Sequence, residues 1–443
     1  MTQYRAARLP RHRGPAAWNA ILAERPAPMV LQADRTADVV IIGAGFAGLS
    51  AARRVLQIDP SARVVVLDAG RVAEGAAGRN SGFMIDLPHD LASDDYAGSG
   101  DDRAQIALNR QAIGFARDAV QDYGIDPAFF DPVGKVNGAA GAAADQHNQD
   151  YAAHLQQLGE ASELLDSQHM QAMTGSRHYR SGLYTPGTVM LQPAGYIRGL
   201  SRGIAQSADI YEDSPVLGFR AEGAGWRVET PGGVVSTGRV ILTVNGHLES
   251  FGVAMGRLMQ VFLFAMMTPS LSTDQLTRLG GQPRWGITPS DPMGTTMRRI
   301  DQSQGGDRII TRTCAVVRPA MAARRSDLIR ATRVMRRKFD RRFPQLAGIP
   351  MEHSWAGHLC LSLNGVAVAR EIDRGVVSGC VQNGLGTARG TLTGIAAAEA
   401  TCGVASDIRA HFEAEPAPRR LPLFSGLGAN AVMRWREWRA RDE

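Results

Sequence analysis

The chain has 443 residues, 44% of them hydrophobic and 21% charged. That composition supplies packed cores and excludes gross disorder. No apolar run approaches the roughly 18 residues of a membrane span. The formal charge of +6 is carried almost wholly by arginine, with Lys135 and Lys338 as the two lysines.

Residues 1–36 are rich in Arg, Pro and Ala and lack periodicity, so an N-terminal extension lying over the body is expected. ADVVIIGAGFAGLSAARRVL then passes from a buried β-branched strand at Val39–Ile42, through glycines, into a helix. RVVVLDAG (63–70) is a second parallel strand, making 38–70 one β-α-β unit. Helical spacing follows over 101–123 and 145–172. Strands are expected over 179–193, a helix in AGYIRGLSRGIA, and a β-meander over 209–245 that ends in the buried strand VILTV. Further strand-like pieces fill 260–318, a basic helix spans 325–343, strands lie near 352–363 and 376–381, and a Gly/Ala-rich helix covers 386–403.

This order predicts an α/β fold of two interleaved domains. A Rossmann-like domain takes 37–100, 195–250 and 350–403, and a mixed-sheet (α+β) substrate domain takes 101–194 and 251–349. Residues 404–443 form a tail.

Gly43, Gly45 and Gly48 stand in G-x-G-x-x-G spacing between strand and helix, the context that gives this motif meaning. They allow a tight turn, close approach to a diphosphate and close helix packing, with Phe46 and Ala47 opening the helix. Asp68, followed by Ala69, ends the second strand 25 residues after Gly43, where an acid accepts ribose hydroxyls. Beyond it GRNSG offers Gly78, Arg79, Asn80, Ser81 and Gly82 as a second loop with one fixed charge, which favours FAD over NAD. CVQNGLGTARGTLTG places Asn383, Gly384, Leu385, Gly386 and Thr387 at another helix start, suited to negative charge on a reduced flavin.

These blocks, with Trp18, VILTVNGHL, MRRIDQSQGGDRII, FPQL and WAGHLCLSLNGVA, resemble the FAD-dependent amine and amino-acid oxidases of the D-amino-acid oxidase/glycine oxidase superfamily, with gamma-glutamylputrescine oxidases the nearest branch. The resemblance covers roughly 16–403. It implies a flavin between the two domains, bordered by GRNSG, with the Val216 backbone beside the adenine. It implies oxidation of a primary or secondary amine, one with a distal acidic group being a candidate, by hydride transfer to flavin N5. Oxygen or an electron carrier then takes the electrons.

The chain departs from this pattern in places. Glycine oxidases carry a carboxylate-binding arginine where Leu359 stands, four residues after Trp355. The flavin-linking cysteine of monomeric sarcosine oxidases falls at Gly357, with Cys360 out of register, so non-covalent FAD is expected. The lysine those enzymes use for oxygen activation has no obvious equivalent.

On the substrate side His89 and His358 are candidates to accept a proton, and Arg298 to hold an anionic group, Arg299 matching a family arginine. Met259, Phe262, Phe264 and Met266 are expected in core. Two other functions fit the same motifs, a 2-hydroxy-acid dehydrogenase and a non-catalytic flavin-binding module.

The basic clusters RAARLPRHR, RRSDLIRATRVMRRKFDRR and RWREWRARDE each mix in apolar or acidic residues, so solvated helix faces are expected and no nucleic-acid partner. Cys314, Cys360, Cys380 and Cys402 form no CxxC pair, and no secretory stretch opens the chain, so a cytoplasmic setting is expected. A homo-oligomer is compatible with all of this. No metal site is expected.

Overall fold

The computed structural model describes residues 2–88, 101–412, 414–417 and 425–443. From Val39 onward the strand Arg35–Ile42 is fully buried. It lies between Val64–Leu67 and Gly233–Leu242, parallel to both. A strand covered on both faces has no solvent side, hence its unbroken apolar run.

It sits near the middle of a nine-stranded sheet. The meander Gly218–Glu222, Gly225–Thr230 and Gly233–Leu242 lies on one side, and Asp209–Tyr211 closes the other. Val376–Cys380 joins beside Gly233–Leu242. The helices Phe46–Ile58, Pro193–Ile204 and Ala388–Cys402 share one core beneath it, with Leu49, Ile197, Leu392 and Ile395 buried together. The N-terminal extension is partly woven in, since Gln3–Arg5 pairs with Gly218–Glu222 as an edge strand.

An eight-stranded sheet stands opposite. From its edge the order is His353–Ser362, Leu258–Met267, Arg308–Val317, Thr296–Ile300, Trp285–Pro289, Lys135–Ala139, Ser181–Thr185 and Glu163–Asp166. One face packs Phe262, Phe264 and Met266 against Met335 and Phe339 of the helix Arg325–Arg342. The opposite face turns toward the first domain and, further along, toward the helix Ser425–Arg439.

Three expected boundaries move. The strand His353–Ser362, placed with the first domain from sequence, pairs along its length with Leu258–Met267 and belongs to the second sheet. The helix Asp102–Asp122, placed with the second domain, buries Leu108, Ala112, Ile113 and Ala116 in the first core. The helix expected over 145–172 is broken in two. Ala142–Leu158 ends on Gly159 in the left-handed conformation (φ 80°), and Asp166 caps a new helix by accepting from Gln168 and His169 N–H. Among the described residues no helix is long and apolar enough to cross a membrane.

Candidate active site

A cavity of about 430 Å³ runs between the two sheets, lined from Gly43 and Asp68 at one end to Gly357, Leu359 and Gly384 at the other. The glycines at its first end have different duties. A Cβ on Gly48 would stand 1.7 Å from the carbonyl oxygen of Gly43. Gly43 has φ +107°, and a Cβ there would meet Thr243 O at 2.8 Å. Both are demanded by chain packing on chain. At Gly45 the nearest atom to an added Cβ is Ala77 Cβ at 3.7 Å, and Gly45, Phe46 and Ala47 line the cavity. No side chain caps this helix start, so its N–H groups are left for an anion.

Asp68 also lines the cavity. Its Oδ2 accepts from Ala44 N–H at 2.7 Å and its Oδ1 from Gly70 N–H at 3.0 Å. Burial raises its pKa, with Glu212 and Asp213 adding to the rise against those two hydrogen bonds. A half-buried carboxylate with no cation bonded to it retains acceptor capacity for neutral hydroxyls. Ala69 and Val216 adjoin it on the cavity wall.

The second helix start converges on the same space. A Cβ on Gly394 would stand 2.2 Å from Ala47 O, so the helices Phe46–Ile58 and Ala388–Cys402 meet backbone to backbone. Gly384 (φ +87°) and Gly386 line the cavity, and an added Cβ on Gly386 meets nothing within 4 Å. Their neighbours brace the turn. Asn383 (φ +50°) accepts from Ser362 N–H at 2.8 Å and donates to Val366 O at 3.0 Å. Thr387 donates its hydroxyl to Phe83 O at 2.7 Å, and Leu385 packs in the cluster with Phe83.

The loop 78–82 divides likewise. Asn80 and Ser81 line the cavity. A Cβ on Gly78 would strike Ala73 O at 1.8 Å, and Gly82 (φ +78°) abuts Leu191 O and the Arg298 guanidinium. Arg79 borders the cavity but spends its charge on carbonyls. Its Nη1 donates to Gly14 O at 2.9 Å and Ala356 O at 3.4 Å, and its Nε to Glu74 O at 2.7 Å. Its own carbonyl accepts from Trp355 Nε1 at 3.0 Å, and that of Asn80 from Trp18 Nε1 at 2.8 Å. Arg79 thus ties the N-terminal segment to the edge strand. Burial lowers its pKa to about 10.

The substrate-side candidates are redistributed. Arg298 does not line the cavity. Its guanidinium donates to Ser81 O, Leu191 O and Gln304 Oε1 and lies 5.0 Å over the Trp18 ring, and burial lowers its pKa to about 9. It braces the loop beneath Gly82, a role invisible before the fold was known. Arg299 similarly donates to Gly280 O. His89 lies outside the described residues.

His358 reaches the cavity wall from the sheet face opposite Gly357 and Leu359, as strand alternation requires. It stacks on Phe262, 4.9 Å between centroids. Gln260 donates its amide to Glu249 Oε2 and Gly246 O, leaving Oε1 as acceptor, so His358 Nε2 at 2.8 Å must donate. Burial first, then His247 and His12, lower the His358 pKa to about 3. His247 and His12 are each lowered to about 4, chiefly by burial.

Sequence reasoning missed the wall opposite the loop. Leu263, Phe264 and Ala265 of one strand, Arg312 of its neighbour, and Trp355, Gly357 and Leu359 of the edge strand line the cavity there. Arg312 is opposite Ala265, and Ala265 opposite Trp355. Arg312 Nη1 also lies 3.5 Å from Thr296 Oγ1. No local motif marks Arg312, because its place comes from strand pairing across the sheet.

The cradle fits a dinucleotide: a half-buried acid on the cavity wall with acceptor capacity left, two uncapped helix starts at one cavity, and glycines whose missing side chains open into it. A family model described as FAD dependent oxidoreductase (DAO) matches residues 38–400. A probable oxidoreductase, OrdL, from Rhizobium meliloti (strain 1021) is 26% identical over 373 residues, 82% of each chain. Among solved structures, glycine oxidase from Geobacillus kaustophilus superposes with a TM-score of 0.69 at 16% identity, covering 88% of this chain and 100% of that one. Iminodiacetate oxidase from Chelativorans sp. BNC1 gives 0.63 at 15% identity, covering 86% and 100%. FAD is the cofactor of the matched family. The chain belongs to the DAO family of FAD-dependent oxidoreductases.

Proposed function

We propose that this oxidoreductase acts on a primary or secondary amine that carries a separate acidic group. The observation behind this reading is Arg312, the one cavity-lining cation that the second sheet contributes among the described residues. Ala265 and Gly357 leave room on that wall, and Leu359 supplies an apolar flank where glycine oxidases place their arginine. A guanidinium there suits a carboxylate entering two strands further in. The two solved relatives, glycine oxidase and iminodiacetate oxidase, are likewise named for amines bearing carboxylates.

FAD, when bound, supplies the hydride acceptor. Gly45, Phe46 and Ala47 would face its diphosphate, Asp68 its ribose, and Ser81, Gly384 and Gly386 its ring end. The protein's share is positioning and control of one proton. Arg312 and the apolar wall of Leu263 and Leu359 both disfavour a second cation, so they hold the substrate amine neutral. His358, with its Nε2–H committed to Gln260 and its pKa near 3, is a hydrogen-bonding brace in this reading rather than a base. Cys360 lies on the sheet face opposite Gly357, and its thiol, pushed well up by burial, bonds Asn245 Oδ1 at 3.2 Å; this supports non-covalent FAD.

An anaerobic panel tests the proposal. Amines with a carboxylate should bleach the oxidised flavin, and their uncharged amides should do so far more slowly. Bleaching by 2-hydroxy acids alone would replace this reading with a hydroxy-acid dehydrogenase.

A further inference from the structure

The C-terminal cluster RWREWRARDE has a solvated face, and that face carries tryptophan as well as arginine. The helix Ser425–Arg439 turns its acid inward and its aromatic residues outward. Ala429 and Met433 pack on Val261, Ala315 and Val317. Asn430 Oδ1 accepts from Val317 N–H at 2.9 Å, docking the helix on the sheet. Glu437, the sole acid of the helix, accepts from Ala315 N–H at 2.9 Å and pairs with Arg330 at 2.9 Å. On the solvent side Val432, Trp435 and Trp438 are 53%, 53% and 62% exposed. Arg439 lies 5.0 Å over the Trp435 ring and Arg441 4.8 Å over that of Trp438.

The helix Arg325–Arg342, which packs on the other face of the sheet, is tied to this one through Arg330 and Lys338. Its outward stripe, Ile329, Arg333, Arg337 and Arg341, contains no acid. Arg341 also pairs with Asp442 at 2.8 Å, neutralising the exposed acid of the tail. The C-terminal helix therefore presents arginine, tryptophan and valine side chains to solvent.

We propose that this face is a docking surface for an anionic lipid bilayer. Tryptophan favours the boundary between headgroups and acyl chains, its ring in the apolar layer and its N–H wet. Arginines stacked on those rings lie at headgroup level, where anionic lipids attract them. Val432 distinguishes this occupant from a nucleic acid, since an aliphatic side chain gains nothing from a phosphate backbone but inserts among acyl chains. None of these residues lines the cavity, so docking leaves the amine site untouched.

The flavin-loaded full chain, sedimented with vesicles, tests this. It should pellet with vesicles of equal parts phosphatidylcholine and phosphatidylglycerol, release as salt rises, and stay in solution with phosphatidylcholine alone. Trp435→Ser with Trp438→Ser should weaken vesicle partition roughly tenfold or more while flavin content and amine turnover hold. Arg439→Gln with Arg441→Gln should remove the preference for anionic lipid. The proposal is overturned if the parent chain stays in solution with both vesicles, or if the double tryptophan variant pellets equally well. It also fails if, without lipid, that variant converts a dimer to a monomer, which would make a second copy the occupant. A DNA gel shift abolished by the same variant would overturn it in favour of nucleic acid.

Discussion

The two helix starts that meet at the cavity are built differently. At Phe46–Ile58 the glycines are separable: Gly43 and Gly48 serve the chain's own packing, and Gly45 alone leaves space for something else. At Ala388–Cys402 the opening belongs to Gly384 and Gly386, and Asn383 and Thr387 are bonded into the surrounding chain. The first end is shaped almost wholly by backbone. The second shares its space with a wall of side chains drawn from three strands. One end can therefore be conserved in form while the other varies in what it accepts.

The sharpest way to break this contrast is a pair of substitutions three residues apart. Gly48→Val should prevent stable folding, because its side chain would overlap Gly43 O, a cost of at least about 3 kcal/mol. Gly45→Val should fold, with an unchanged melting curve when no FAD is present, and lose FAD by roughly a hundredfold. Thermal melts and flavin absorbance per chain read the two effects separately. Equal damage to folding in both variants would erase the distinction.

Next in size is Arg298→Ala. It removes three carbonyl or amide bonds and the contact with Trp18, so it should cost about 2–4 kcal/mol in urea unfolding. Its effect on KM should be the same for anionic and neutral amines. A selective rise for anionic amines would return Arg298 to the substrate. Arg312→Gln should show that selectivity instead, raising KM for anionic amines by roughly tenfold or more and leaving neutral ones nearly unchanged.

The smallest effect concerns pH. His12, His247 and His358 have folded pKa values of about 4, 4 and 3, below the ordinary value near 6.5. The unfolded chain thus binds more protons between those values, and the stability these residues contribute is present above pH 6.5 and lost as pH falls. The slope for one such histidine is at most about 1.4 kcal/mol per pH unit. His358→Asn should flatten the fall in melting temperature from pH 7 to pH 5. An unchanged slope would mean that His358 is not held neutral.

How much was legible in the sequence follows the same division. Gly43, Gly45, Gly48 and Asp68 announce themselves because a strand, a turn and a helix are consecutive in the chain. The second helix start was legible too, though Asn383 and Thr387 proved to brace it. Arg298 misled because the sequence records that an arginine lies on a strand and not which side of the sheet it enters. Arg312 went unseen since its neighbours, Ala265 and Trp355, are far away in sequence and meet it only through the sheet register. Arg79 likewise was legible as a charge near the flavin loop, but the carbonyls that consume it come from residues 14, 74 and 356.

The central claim is that one cavity joins both helix starts around a single FAD. Equilibrium titration of the flavin-free chain with FAD, followed by flavin fluorescence, tests it most directly. The account predicts saturation at one FAD per chain, with uptake lost in Gly45→Val. A parent chain that takes up no FAD, or a Gly45→Val variant that binds it with parental affinity, would contradict it.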